Sequence, residues 1–90
     1  MGESQVFLRK DDFMVEIPLS DMNKNDLCVI KRLETKGELR RRLMDLGFVE
    51  GTKIRCVGKS PLGDPKAFSI RGSVIALRKE DSDSVLGVRI

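Results

Sequence analysis

Ninety residues with a net charge of +3 make one small domain. A chain of that size buries roughly 60–65% of the surface its unfolded form exposes, which leaves room for one core and none for a second catalytic lobe. It holds no histidine, tryptophan or tyrosine and only four phenylalanines. Acid/base catalysis at neutral pH is therefore poorly served, as is an aromatic-lined groove for proline-rich peptides.

The charge is uneven. Residues 1–30 carry three basic and six acidic side chains, residues 31–60 nine and four, and residues 61–90 five and four. The positive excess thus sits in the middle third, mostly from Lys31 to Arg42. Cys28 and Cys56 stand alone in apolar stretches, a pattern of reduced packed thiols rather than a paired metal cage. No apolar run reaches 18 residues, no signal-peptide core is visible, and Val6 stands where a myristoylation signal needs Ser or Thr. The cytosol is the expected compartment.

In chain order, residues 1–14 mix polar and apolar side chains without a period and read as a loose or flexible extension. The folded domain is expected over residues 15–90. Val15–Ile17 is β-like and closed by Pro18. Leu19–Met22 has room for one helical turn, and Asn23–Asp26 is a turn cluster. Leu27–Leu33 has the β-branched centre of a first full strand. Thr35 and Glu38 have capping-box spacing, which predicts a helix starting there. Within it Leu39, Leu43 and Leu46 share a face, Arg40, Arg41 and Arg42 point away, and Gly47 is placed to cap the end in a left-handed conformation. Phe48 can then fold back on Leu43.

Glu50 and Gly51 form a turn. Thr52–Lys59 alternates, with Ile54 and Cys56 inward against Lys53 and Arg55. Ser60-Pro61-Leu62-Gly63-Asp64-Pro65 is a loop, since prolines cannot continue a central ladder. Lys66–Arg71 alternates again with Phe68 and Ile70 inward. Gly72-Ser73 reads as a type II′ hairpin turn into Ser73–Arg78. A short helical turn in Lys79–Ser84 and a last strand over Val85–Ile90 complete the chain. These elements predict a mainly β fold, a small partly open barrel of about five strands with one short capped helix.

The ordered set RRLMDLGFVEGTKIRCV, SPLGDP, SVIALRKED and VLGVRI resembles the FeoA family, small SH3-like-barrel proteins that accompany the FeoB ferrous-iron permease. The fold also resembles the C-terminal domain of iron-dependent repressors. On this chain the family's helix and its glycine correspond to Glu38–Gly47, its turn glycine to Gly51 and its proline–glycine loop to Pro61–Pro65. Three departures stand out: Asn25 where glycine is frequent, Glu50 where proline is common, and Ser82 where alanine is common.

The resemblance implies an accessory protein of ferrous-iron uptake that binds the permease's cytoplasmic part and turns over no substrate. The residue inventory agrees, since it lacks a nucleophile–base pair. The candidate partner-contacting residues are Arg40, Arg41 and Arg42 on the helix and Pro61, Leu62, Gly63, Asp64 and Pro65 in the loop. Thr35, Glu38, Gly47, Gly51 and Gly72 are assigned structural work. No cofactor and no metal ligand set is expected. The alternative is a small basic barrel that binds nucleic acid or acts as a metal-dependent regulatory module, and a weaker one is direct binding of Fe(II) or Zn(II) through Cys28, Cys56 or scattered carboxylates.

Overall fold

The computed structural model describes residues 15–90 of the chain; the extension expected over residues 1–14 lies outside the described residues. Among the described residues the strands are β1 (Glu16–Pro18), β2 (Leu27–Leu33), β3 (Lys53–Lys59), β4 (Lys66–Ile70), β5 (Ser73–Leu77) and β6 (Val85–Arg89). The helices are a 3₁₀ turn (Leu19–Asp21), α1 (Gly37–Asp45) and α2 (Lys79–Ser82). All strands pair antiparallel in one open sheet ordered β1-β6-β2-β3-β4-β5. Register shifts interrupt β2 against β6 between Ile30 and Arg32, and β3 against β4 between Cys56 and Gly58. Each extra residue bends its strand, which curls the sheet around a single core.

The strand alternation follows the sequence. Cys28 and Ile30 of β2, Ile54 and Cys56 of β3, and Phe68 and Ile70 of β4 are buried, while Lys53 and Arg55 are exposed. Leu19 and Met22 from the 3₁₀ turn, Leu43 from α1, Phe48, Leu77 and Val85 complete the core. Lys66 clips the 3₁₀ turn to β4, its ammonium donating to the carbonyls of Ser20 (2.5 Å) and Met22 (2.8 Å). Asn25 adopts φ 74°, the left-handed conformation for which asparagine is the usual substitute for glycine.

The end of α1 is a full Schellman motif. The Phe48 N–H donates to the Leu43 carbonyl at 2.9 Å and the Gly47 N–H to the Met44 carbonyl at 3.0 Å, while Phe48 and Leu43 are both buried. Gly47 has φ 109°, and a Cβ there would lie 2.8 Å from Cδ of Arg71. Gly47→Ala is accordingly expected to cost about 1–3 kcal/mol of stability, most of it backbone strain because the arginine stem can shift. A urea titration checks this, and an unchanged midpoint would contradict the motif.

Three local expectations are corrected. First, α1 has no capping box. Lys36 is the cap residue and makes no side-chain cap bond, and Gly37 enters the helix at φ 67°. The Thr35 hydroxyl is instead buried against Ser84 Oγ at 2.6 Å. Because Ser84 Oγ donates to the Asp81 carbonyl (2.7 Å), Thr35 is the donor in this pair. Glu38 remains in the first turn, where its charge suits the helix dipole.

Second, Leu46 does not share the buried face of Leu39 and Leu43. It is the C-cap residue and 46% exposed, since the chain leaves the helix there and Phe48 takes the core position. Third, the β4–β5 turn is Arg71-Gly72, with φ 50° and 81°, rather than Gly72-Ser73. Two positive φ values make it type I′, whose twist matches the flanking strands. Gly72 thus stands second in the turn, not first.

Candidate partner-binding surfaces

The expected contact residues fall in two places. Arg40, Arg41 and Arg42 occupy the exposed side of α1, which is attached where β2 ends and β3 begins. Arg40 is partly committed, its Nη1 donating to the Leu33 carbonyl at 3.1 Å. Among the described residues Arg41 and Arg42 have no ion-pair partner within 4 Å. Met44 is 41% exposed and lies one turn beyond Arg40 and Arg41, so the face combines guanidinium groups with an apolar side chain.

The Pro61–Pro65 loop lies at the other end of β3. It is closed on itself: the Gly63 N–H donates to the Ser60 carbonyl (2.8 Å), the Ser60 N–H to the Pro65 carbonyl (3.0 Å), and Ser60 Oγ to the Asp64 carbonyl (2.7 Å). Gly63 supplies the positive φ this turn needs, and the Asp64–Pro65 bond is cis. The Asp64 carboxylate accepts the Lys79 N–H at 2.8 Å, so it caps α2 from a distant loop. These bonds hold Leu62 outward at 93% exposure, between two prolines.

β3, seven residues and about 20 Å long, runs between the two places in the chain. The fold does not merge them into one site. A standard interface of about 800 Å² per partner is about 30 Å across, so one partner can still reach both.

Beside the loop is a cleft of about 640 Å³, which sequence reasoning missed. Val57, Ala67 and Ala76 give it apolar walls, and Lys24, Lys59 and Ser60 stand along it. The signal was present in β3: after Lys53 and Arg55 the next outward position is the apolar Val57, which is 40% exposed. The bulge at Val57 bends β3 there.

The basic excess is less available than the sequence suggests. Arg32 pairs with Glu16 (3.1 Å) and Glu34 (3.5 Å), Arg89 with Asp26 (3.3 Å) and Lys79 with Asp83 (3.1 Å), while Lys66 is held by carbonyls. The Asp26 carboxyl lies below its usual range, first because it accepts the Asn23 N–H and then because of Arg89. Asp83 is lowered by the Ser20 hydroxyl and by Lys79. Cys28 and Cys56 are free thiols in the core, and burial pushes the Cys28 pKa up, which keeps it protonated at neutral pH. Among the described residues no three His, Cys, Asp or Glu side chains converge as a metal-ligand set, and no helix is long and apolar enough to cross a membrane. Ser82, a departure from the resemblance, is buried with its hydroxyl bonded back to the carbonyls of Arg78 and Lys79, both at 3.2 Å.

Comparison with known proteins gives the same frame. The chain is 37% identical over 67 residues to an Fe(2+) transport protein A/Fe(2+) transporter FeoB fusion protein of Porphyromonas gingivalis, covering 74% of this chain and 8% of the fusion. The solution structure of iron(II) transport protein A from Clostridium thermocellum is 40% identical, with a TM-score of 0.74 over 80% of this chain and 45% of that one. The Stenotrophomonas maltophilia FeoA, crystallised with zinc and described as a procaryotic SH3 domain protein, is 29% identical, with a TM-score of 0.69 over 77% and 86% of the two chains. The open, curled antiparallel sheet is therefore the SH3-like fold that the resemblance implies. The FeoA domain model matches residues 17–89, from within β1 through β6, and with α1, α2 and the Pro61–Pro65 loop inside that match, the chain belongs to the FeoA family, which is associated with ferrous-iron transport.

Proposed function

We propose that this chain is a non-enzymatic accessory of ferrous-iron uptake that binds the cytoplasmic region of a FeoB-type permease. The observation that carries the reading is the Porphyromonas gingivalis fusion, in which a relative of this chain and a FeoB transporter are one polypeptide. Fusion makes the effective concentration of the two parts high, and where they are separate chains an affinity must do the same work. The chain spans only a small part of that fusion protein, in keeping with an accessory module beside a much larger transporter.

The contacts are assigned to the arginine face of α1 and to the loop tip. Guanidinium forks pair well with carboxylates, and Leu62 is an apolar anchor held out on a closed loop. Titration of the full chain with the purified cytosolic region of the permease checks this. Leu62→Asp and the Arg40→Glu/Arg41→Glu/Arg42→Glu triple variant should each weaken binding about tenfold, or about 1.4 kcal/mol. If both bind as tightly as the parent, these surfaces are not the interface.

A further inference from the structure

Among the described residues β5 is an edge strand of the sheet. Its register with β4 decides where its backbone groups point. Ile70 and Ser73 close the two-residue Arg71-Gly72 turn and exchange both hydrogen bonds, so Ser73, Ile75 and Leu77 face β4. Val74 and Ala76 then direct their N–H and C=O groups away from the sheet. Among the described residues no backbone or side chain pairs with these four groups.

Proteins commonly block such an edge with a charge, a proline or a bulge. The Ser73–Leu77 strand has none of these, and its register with β4 is unbroken. Val74 is 66% exposed, Ala76 is exposed, and Ala76 lines the cleft behind the Pro61–Pro65 loop. Arg71 and Arg78 stand at the two ends of the strand, both exposed, and among the described residues neither is in an ion pair.

We propose that the open edge of β5 is a strand-addition site. Its occupant is an extended segment of the permease's cytosolic region, apolar in the centre and carrying a carboxylate near each end to meet Arg71 and Arg78. This assignment rests on the functional reading above. Main-chain bonds from Val74 and Ala76 supply the ladder, and the cleft receives alternate side chains. A second copy of this chain is a poorer occupant. An antiparallel pair of β5 strands centred on Ile75 would set Arg78 opposite the second copy's Gly72 and beside its Arg71. Facing like charges at both ends oppose that pairing.

Amide hydrogen exchange on the full chain, with and without the permease cytosolic region, tests the site directly. Exchange at Val74 and Ala76 should slow at least tenfold in the complex. Ala76→Pro removes one outward N–H at a position where an edge strand tolerates proline, and should weaken binding at least tenfold. Ala76→Ser keeps the N–H and should bind like the parent. Unchanged exchange at both residues, or equal binding by a folded Ala76→Pro variant, overturns the edge site while leaving the functional reading intact. Absence of binding by the native chain overturns both. A concentration-dependent dimer that Ala76→Pro dissociates assigns the edge to a second copy and overturns the proposal. The exchange measurement needs no variant, so it decides the matter even if Ala76→Pro does not fold.

Discussion

Phe48→Ala is expected to destabilise the domain by about 3–5 kcal/mol, a large share of the about 5–15 kcal/mol available to a small domain. Phe48 is fully buried, and it does two jobs at once. Its N–H satisfies the Leu43 carbonyl at the end of α1, and its ring belongs to the core cluster shared by α1, the 3₁₀ turn and the strands. Alanine keeps the backbone bond and loses the ring. The resulting cavity lies between a nine-residue helix and the sheet, where the helix has few other anchors: Leu43 is its one fully buried residue and Leu39 is half-buried. Urea denaturation of parent and variant gives the difference directly. Phe48→Leu, which retains most of the volume, should recover more than half of it. A loss below about 1 kcal/mol for Phe48→Ala would mean that the ring is not a core element.

Gly87→Ala should cost about 1–3 kcal/mol, toward the upper end, by overpacking. Gly87 lies in β6, which is paired on both sides, opposite Ile17 of β1 and Ile30 of β2. A Cβ there would stand 2.9 Å from the Val29 carbonyl oxygen and 3.4 Å from Cβ of Cys28. The obstacle is backbone within a ladder, so relief requires separating β2 from β6 next to the Ile30/Arg32 register shift. The contrast with Gly47 is informative, since the nearest atoms there belong to the flexible stem of Arg71. Thermal unfolding followed by circular dichroism would show Gly87→Ala melting several degrees below the parent. An unchanged midpoint would mean that the two strands have slack at that point.

The legible parts of the sequence were those in which one short segment carries its own physical reason. Ile54 and Cys56 alternate with Lys53 and Arg55 because one face of the strand is buried. Leu43, Gly47 and Phe48 spell a Schellman ending because glycine tolerates the φ of 109° that the bend needs. The Pro61–Pro65 loop follows from two prolines that cannot extend a ladder. Thr35 misled for an equally definite reason. Its spacing to Glu38 satisfies a local rule, yet its hydroxyl pairs with Ser84, 49 residues away, and no local rule contains that partner. Gly37, two residues further on with φ 67°, is the better signal for how the chain enters α1. The β4–β5 turn was displaced by one residue because a positive φ at Arg71 is unfavourable for an isolated arginine, and in the fold that side chain is laid across Gly47.

The candidate surfaces divide in the same way. Arg40, Arg41, Arg42 and Leu62 could be named from charge and loop composition, whereas the cleft, the cap that Asp64 places on α2 and the open edge of β5 could not. Ninety residues without histidine already exclude neutral-pH acid/base chemistry by a histidine and allow a single core, the strand and turn pattern gives a small partly open barrel, and the resemblance of the ordered segments names the family. Tertiary structure alone decided which cations are committed, since Arg32, Arg89, Lys66 and Lys79 find partners across the fold or along a helix while Arg41 and Arg42 find none among the described residues. It also decided that β3, about 20 Å long, runs between the arginine helix and the loop. Composition and periodicity act over a few residues, whereas exposure, ion pairing and the free edge of a sheet depend on which distant segments pack beside them.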